Sequence, residues 1–383
     1  MKSIPYPFLF FYFLLAIMSI PQWNPPLEYD AYSYLEMAKG WWSSRDIIPA
    51  QHWQRPLPSL LTGLFTFFIS RPPSEDEYKL SFYILSKIFF LFFCIKFYSF
   101  IDTKIKDRLL SFSLTLLVLL KSWPFFYNLA NFFQLSDMLQ YIFTLYLWEA
   151  WEEKKEKKFF YISLFSIFTR QNLIFFGLFG LLGFLLKKEN KIQHSAYLFI
   201  FIVATTLLFS FSSFSAASSH INPKYLLESL FQKELYEIIF RQTIPFILLS
   251  FFYWKKITPY FFKNIPLFLF AFITLLQPLI YFSQGGVANT ERIMEQGLWI
   301  FQVVTLFIFF KDTSFYASKN KYFYWILVFS PLLLGTKHLI HYHYLSIAPL
   351  FFLKNHFKDY LGLSFLIMAF LSQKKRGTHG IQH

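Results

Sequence analysis

Acidic, aromatic and basic side chains cluster in the segment 27–58, directly after the first long apolar run of the chain. The side chains there that could bind or react are Glu28, Asp30, Tyr34, His52 and Arg55. Ionisable groups beside an apolar, membrane-like run are costly to keep unless they bind or transform something. This segment is therefore the first candidate for a functional site.

Asp30 is the residue of this segment best suited to act as a general base. If residues 28–38 form a juxtamembrane helix, Asp30, Tyr34 and Met37 share one face at i, i+4 and i+7. Tyr34, Met37 and Ala38 would anchor that face on the membrane and leave the carboxylate at the boundary with water. A carboxylate there can accept a proton from an acceptor hydroxyl. The competing interpretation is structural, because Asp is also a favoured helix N-cap.

The residues flanking Asp30 suit substrate binding. Glu28 is a second candidate base or a metal ligand, or else a solvated loop charge. Arg55, with His52 shortly before it, precedes a proline and an apolar segment. A guanidinium donates two parallel hydrogen bonds to a phosphate, so Arg55 could hold a lipid phosphate at the head of that segment. An arginine that snorkels to the interface is the alternative.

Charged residues also stand at the ends of later apolar blocks. Asp137 heads an apolar helix and is either a second acid near the site or an N-cap. Arg170 has no acidic residue nearby in the sequence, so it needs an anionic partner, either a protein carboxylate or a lipid phosphate. Glu291 and Arg292 follow a glycine pair in a polar stretch. They could pair with each other, or Arg292 could bind phosphate.

Neither a metal site nor a soluble catalytic motif is evident. The run His338-Leu-Ile-His341-Tyr-His343 has no carboxylate or cysteine near it, so packed interfacial histidines are favoured over metal ligands. The single cysteine, Cys94, lies in an apolar block and leaves no disulfide within these residues. No glycine-rich phosphate loop, Ser-His-Asp pattern or zinc spacing occurs.

The composition predicts that an all-α membrane protein positions these residues. The chain is 55% hydrophobic and 15% charged, whereas soluble domains carry about 25% charged residues. The apolar residues come in blocks of roughly 14 to 24, separated by short charged gaps, which predicts a polytopic helical bundle of about 11–13 spans. We expect residues 1–372 to form one integral-membrane domain that begins with an uncleaved helix, and 373–383 to form a polar basic tail.

The positions of the lysines predict how the chain is oriented in the cell membrane. The net charge is +14, but the lysines occur in short clusters between apolar blocks, which argues against nucleic-acid binding. All these clusters fall on the inner side if the short segment 57–70 dips into the membrane without crossing it. The polar loop 21–79 then faces outward, together with Asp137, Arg170 and the predicted loop 283–296.

Several short motifs are similar to those of the GT-C-type integral-membrane glycosyltransferases, which include the aminoarabinose transferases of lipid A and the protein O-mannosyltransferases. The motifs are Asp30-Ala-Tyr-Ser-Tyr34-Leu-Glu-Met-Ala38, Arg55-Pro56-Leu57-Pro58, Ser136-Asp137, Thr169-Arg170-Gln171-Asn172 and Glu291-Arg292. The resemblance implies a polyprenyl-phosphate-linked sugar donor and transfer to a lipid, glycan or protein acceptor on the outer face. It also implies that Asp30 is catalytic and that Asp137 is a second acid near the site.

The chain departs from the family pattern at one position, and two other functions compete. The acidic residue that usually follows the first Asp is Ala31 here, which argues against a two-carboxylate metal site and leaves a divalent metal open. No other cofactor is expected. A transporter or flippase of a lipid-linked or anionic substrate is the main alternative, although no pair of glycine- or proline-broken helices occurs in matching halves. A polysaccharide polymerase or ligase of a different fold is the third.

Overall fold

The described part of the chain is built from α-helices. The computed structural model describes residues 30–40, 56–69, 73–120, 135–187, 190–211, 232–317, 322, 324–329, 365 and 367. No strand occurs in these ranges, so the all-α class predicted from the apolar blocks is confirmed for them. The first apolar run, the histidine run 338–343 and the tail 373–383 lie outside the described residues.

The helices follow the apolar blocks of the sequence and are numbered in chain order. They are α1 (Asp30–Gly40), α2 (Pro56–Ile69), α3 (Glu75–Ile105), α4 (Arg108–Leu120), α5 (Leu135–Glu152), α6 (Glu156–Ser166), α7 (Leu173–Leu186), α8 (Lys191–Phe211), α9 (Lys233–Phe252), α10 (Trp254–Lys263) and α11 (Ile265–Ala317). Helix α3 begins at a capping box, in which Ser74 and Glu77 each accept the other's backbone N–H. Helix α9 begins at Lys233, before the apolar block that starts near Ile244.

The apolar surface of the longer helices indicates a membrane protein. Among the described residues, the segments long and apolar enough to cross a membrane are Glu75–Ile105, Lys191–Leu208 and Ile293–Asp312. A fourth span results if α10 and Ile265–Gln277, which meet at an angle of 100°, count as one. Phe199 of α8 is 68% exposed, and a large exposed apolar surface suits lipid rather than water. The predicted total of about 11–13 spans stays a prediction.

Helices α3 and α5 run parallel to each other and define two ends of the described bundle. At one end, Lys104 in the last turn of α3 forms an ion pair with Glu152 at the end of α5. At the opposite end, the first residue of α3, Glu75, and the second residue of α5, Ser136, both contact α1. We call the first the lysine end, which the sequence predicted to face inward, and the second the Asp137 end.

Short helices α6 and α7 carry the chain from the lysine end to the Asp137 end and back. They have 11 and 14 residues, about 17 and 21 Å at 1.5 Å per residue, against roughly 30 Å for a hydrocarbon core. The turn 167–172 between them holds Arg170 at the Asp137 end. Helices α6 and α7 therefore form a short hairpin whose turn brings Arg170 to the Asp137 end.

The residues of α11 are all helical, but the segment reverses direction within its length. Gly297 lies so close to Ala271 that an added Cβ would stand 2.3 Å from its carbonyl oxygen and 3.1 Å from the Leu275 nitrogen. In a straight helix Gly297 and Ala271 would be about 39 Å apart. The chain therefore reverses between Gln277 and Ile293, where the glycine pair lies. Residues 283–296, predicted as a loop, are helical in α11, and the reversal of the chain lies in or next to this stretch.

Ion pairs and aromatic hydrogen bonds fasten the helices together at the lysine end. Glu149 accepts from Lys96 at 2.6 Å and from Lys158 at 2.9 Å. Glu152, besides its pair with Lys104, accepts a hydrogen bond from the Tyr260 hydroxyl of α10. Partial burial makes these contacts stronger than exposed pairs on a protein surface. The ion pairs join α3 and α6 to α5, and the Tyr260 hydrogen bond joins α10 to the end of α5.

Candidate functional site

The two helices of the first polar loop, α1 and α2, pack on the Asp137 end of the bundle. The Tyr34 hydroxyl of α1 donates to Ser136 Oγ at 3.4 Å, next to Asp137. Helix α2 holds α1 through Ser59, whose hydroxyl donates to the Tyr34 carbonyl at 3.2 Å. Helix α2 also contacts the α6–α7 turn, because the Leu57 backbone N–H donates to the Phe168 carbonyl at 3.1 Å. The first loop is thus joined to the elements that carry Asp137 and Arg170.

The anchoring face of α1 is covered by protein, which corrects the expectation that it lies on the membrane. Tyr34 is 4% exposed, and Met37 and Ala38 are fully buried. Tyr34 and Ala38 belong to an apolar cluster that includes Phe82 of α3 and Leu135 of α5. The spacing predicted an apolar face correctly, but a local pattern does not reveal whether lipid or protein covers it.

Lys39 connects the other side of α1 to α3. Its ammonium donates to Glu36 at 2.8 Å and to Glu75 at 3.1 Å, and its side chain is 16% exposed. Burial of the ammonium opposes its charge, but hydrogen bonds to Glu36 and Glu75 outweigh that effect and raise the pKa of Lys39. Lys39 therefore keeps its charge at neutral pH and holds α1 against the start of α3.

Asp137 and Arg170 form an ion pair inside the protein. Oδ1 of Asp137 accepts from a terminal guanidinium nitrogen of Arg170, and the two side chains are 0% and 5% exposed. Asp137 is the third described residue of α5, inside the helix, so it is not the N-cap that one interpretation predicted. Of the two partners proposed for Arg170, the structure has the protein carboxylate. Both charges are thereby committed to a contact within the protein.

Amide side chains extend this pair into a buried polar network. Gln296 Nε2 donates to Asp137 Oδ1 at 3.1 Å, and Gln296 Oε1 accepts from Asn172 at 3.3 Å. Asn172 in turn accepts from Gln277 Nε2 at 2.8 Å. The network therefore joins α5, the α6–α7 turn and both halves of α11. Charge-assisted and amide hydrogen bonds of this kind fix helix ends relative to one another where water is scarce.

The structure brings together part of the predicted site. Tyr34, Asp137 and Arg170 meet at the Asp137 end, with Tyr34 bonded to the residue before Asp137. The backbone of Asp30 is the first described residue of α1, one turn before Tyr34, but its side chain lies outside the description. Glu28, His52 and Arg55 lie entirely outside the described residues. Glu291 and Arg292 belong to α11 by backbone, but their side chains are also outside the description.

The sequence reasoning missed the polar side chains that continue from Asp137 along α5. Gln140 and Thr144 follow at i+3 and i+7, the spacing of one helix face, which could have identified them. Both amide atoms of Gln140 and the hydroxyl of Thr144 are buried with no hydrogen-bond partner among the described residues. Buried polar atoms in that state are rare and call for water or a ligand. They form a polar track that points from the Asp137 end into the bundle.

The described residues do not assemble a metal site. No group of three or more His, Cys, Asp or Glu side chains within the described ranges is arranged to hold an ion. The carboxylate of Asp137 faces a guanidinium and an amide N–H, which are donors and not metal ligands. Within these ranges, the arrangement can orient polar groups and neutralise charge.

Comparisons with known proteins do not add a family to this description. No family model matches the chain, and no curated protein or solved structure matches it. The interpretation of the site therefore depends on its geometry and on the sequence motifs.

Proposed function

We propose that the chain is a membrane glycosyltransferase that moves a sugar from a polyprenyl-phosphate-linked donor to an acceptor on the outer face. The acceptor is a lipid, a glycan or a protein. The site is the Asp137 end, with α1 and α2 as its outer wall. This proposal follows the motif resemblance, and one feature of the structure supports it.

The supporting observation is that the first-loop helices dock beside the buried ion pair. Tyr34 contacts Ser136, and Leu57 bonds to Phe168, two residues before Arg170. Asp30 is one turn before Tyr34, so its backbone is about 6 Å along α1 from that contact. A reactive carboxylate on a helix that is packed on both sides would be held in a fixed orientation, as catalysis requires.

The proposed reaction needs one base and a positive group for the leaving phosphate. The acceptor hydroxyl oxygen attacks the anomeric carbon of the donor, and its proton passes to the Asp30 carboxylate. The bond between the anomeric carbon and the phosphate oxygen breaks, and polyprenyl phosphate leaves with that electron pair. Arg55 and Arg292 are the proposed contacts of this phosphate, because a guanidinium stabilises the charge that develops there.

We assign the Asp137–Arg170 pair a positioning role within this site. Its two charges contact each other, and Gln296 supplies a further donor, so the pair is occupied by protein groups. It fastens the α6–α7 turn to α5, and α2 bonds directly to that turn. Glu28, Tyr34, His52 and Glu291 complete the proposed substrate-binding set.

Substitution of Asp30 tests the proposed mechanism. Purified protein in liposomes is supplied with labelled polyprenyl-phosphate hexose or aminopentose and a membrane extract as the source of acceptors. We expect Asp30→Asn to lower label transfer by at least about 100-fold, because general base catalysis contributes that much or more. The matched control is Glu36→Gln on the same helix, whose carboxylate pairs with Lys39 and is 25% exposed. Full transfer by Asp30→Asn would refute the mechanism.

Transport of a lipid-linked or anionic substrate is the second candidate, and the buried polar track favours it. Ionisable and polar groups inside a helical bundle often line a pathway for polar solutes. Gln140 and Thr144 continue such a track inward from the Asp137–Arg170 pair. The same liposomes separate the two functions. Movement of the labelled donor between leaflets without release of polyprenyl phosphate would favour transport and contradict transfer.

A further inference from the structure

A cavity of about 570 Å³ opens at the lysine end, on the opposite side of the bundle from the proposed site. It lies between α7, the end of α5, the end of α10 and the start of α11. The residues that enclose it with apolar side chains are Trp151, Phe179, Leu182, Leu186, Phe262 and Leu269. The described contacts at the Asp137 end do not involve these residues, so the cavity is a separate feature.

The apolar wall of the cavity continues onto the outer surface of the bundle. Leu186 is 83% exposed, Phe262 is 65% exposed and Leu269 is 39% exposed. Helix α10 meets the first half of α11 at 100°, so it lies across the end of the bundle in the manner of an interfacial helix. If α10 lies in the interface, the cavity beside it is at the depth where lipid headgroups and acyl chains meet.

Three lysines surround the polar end of the cavity. Lys154, Lys187 and Lys263 line it, and none of them has an ion-pair partner among the described residues. The one carboxylate in the lining, Glu152, is already held by Lys104 and by the Tyr260 hydroxyl. The polar end therefore carries excess positive charge.

The contacts of Lys187 place one of these charges against the aromatic wall of the cavity. Its ammonium stands 4.7 Å from the centres of the Trp151 and Phe184 rings, which directs it over the aromatic wall. Burial, and then repulsion from Lys154, lowers the pKa of Lys187, while Glu156 opposes the shift. Like charges held near each other favour an anion between them.

We propose that this cavity binds one anionic phospholipid from the leaflet on the lysine side. The phosphate would lie among the ammonium groups of Lys154, Lys187 and Lys263, and an acyl chain would follow the wall formed by α7 and α11. A free phosphate would neutralise the lysines but leave the apolar wall exposed to water. A neutral lipid would cover the apolar wall but leave the lysine charges without an anion. Basic pockets between helices on the inner side are suited to anionic headgroups.

Photo-crosslinking and native mass spectrometry test this proposal directly. Purified protein is reconstituted in phosphatidylcholine vesicles with or without phosphatidylglycerol that carries a photoreactive acyl chain. We expect crosslinks on peptides that contain Phe179–Leu186 or Phe262–Leu269. In mass spectra from detergent, the protein should retain phosphatidylglycerol in preference to phosphatidylcholine. Crosslinks spread evenly over the exposed helices would overturn the proposal.

Charge-neutralising variants give a quantitative test. Lys154, Lys187 and Lys263 are replaced together by Gln, and the matched control replaces Lys157, Lys191 and Lys255, exposed lysines that do not line the cavity. Each lysine near a lipid surface contributes about fivefold in affinity, so the first variant should lose on the order of 100-fold preference for phosphatidylglycerol. The control should keep the preference.

Two further results would contradict lipid binding. Equal loss in the cavity variant and the control would mean that only the overall charge attracts lipid. Displacement of phosphatidylglycerol by inorganic phosphate alone would mean that the headgroup site does not require the apolar wall. Circular dichroism of each variant checks that it is folded, and the crosslinking result with the unmodified protein does not depend on any variant.

Discussion

Removal of one charge from the Asp137–Arg170 pair tests whether this contact holds the Asp137 end together. Asp137→Asn leaves the Arg170 guanidinium buried, at 5% exposure, without its counter-charge. Breaking a buried ion pair by removing one partner costs about 3–5 kcal/mol. The new amide still offers an acceptor to Gln296, a neutral hydrogen bond worth roughly 1 kcal/mol. We therefore expect a loss near the lower limit, about 3 kcal/mol.

The double variant separates the charge effect from the loss of packing. Asp137→Asn with Arg170→Gln removes both charges, so no uncompensated ion stays buried, and we expect a cost of roughly 1–2 kcal/mol. The coupling free energy between the two positions should then reach about 2 kcal/mol or more. The exposed pair Lys233–Glu237, 84% and 61% exposed, is the control, and Lys233→Gln should change stability by less than about 0.5 kcal/mol.

The assay is equilibrium unfolding in mixed micelles titrated with a denaturing detergent and followed by circular dichroism. Each single variant is compared with the double variant and with Lys233→Gln at the same lipid and salt concentration. If the two single losses add up to the loss of the double variant, the charges are not coupled. The assigned positioning role of the pair would then be wrong.

The remaining predictions concern α11 and α1. Gly297→Ala should destabilise the protein by about 1–3 kcal/mol in the same unfolding assay, because its Cβ would stand 2.3 Å from the Ala271 carbonyl oxygen. The control is Ser210→Ala at an exposed position, which should have little effect. A loss no larger than that of Ser210→Ala would argue against the close packing of the two halves of α11. Lys39→Gln should lower the thermal unfolding temperature at neutral pH, since it removes the contacts to Glu36 and Glu75. The pKa of Lys39 in the folded protein is raised above 10.5. At pH values where Glu36 and Glu75 are ionised, this difference should therefore be complete below pH 10.5 and disappear as pH rises through the folded pKa. A difference that does not depend on pH would contradict the ion pairs.

The positions of the helices could be predicted because their signals are local. The start of α3 is set locally, because the capping groups of Ser74 and Glu77 belong to the same short stretch of chain as the first turn. The spacing of Tyr34, Met37 and Ala38 predicted one apolar face of α1. It did not predict that α3 and α5 cover this face, because protein and lipid are equally apolar partners.

The candidate site could be predicted only in part for the same reason. Arg170 was expected to need an anion, but several carboxylates in distant parts of the chain could have supplied it. The choice of Asp137 depends on how α5 and the α6–α7 turn pack, which no local pattern encodes. Gln140 and Thr144 gave a weak signal because polar residues on a helix face are common, and only their burial makes them unusual.

The sequence by itself determined the class of protein and the segments that become helices, because composition and the spacing of apolar residues are properties of short stretches. It also indicated that the first polar loop and the turn at Arg170 carry groups able to bind or react. The tertiary structure decided which of these groups meet: it joined Tyr34 to Ser136, paired Arg170 with Asp137, and folded α11 back so that Gln296 reaches both α5 and the α6–α7 turn. The physical reason is that a buried charge must find its counter-charge across the packed helices, and that partner is fixed by long-range packing.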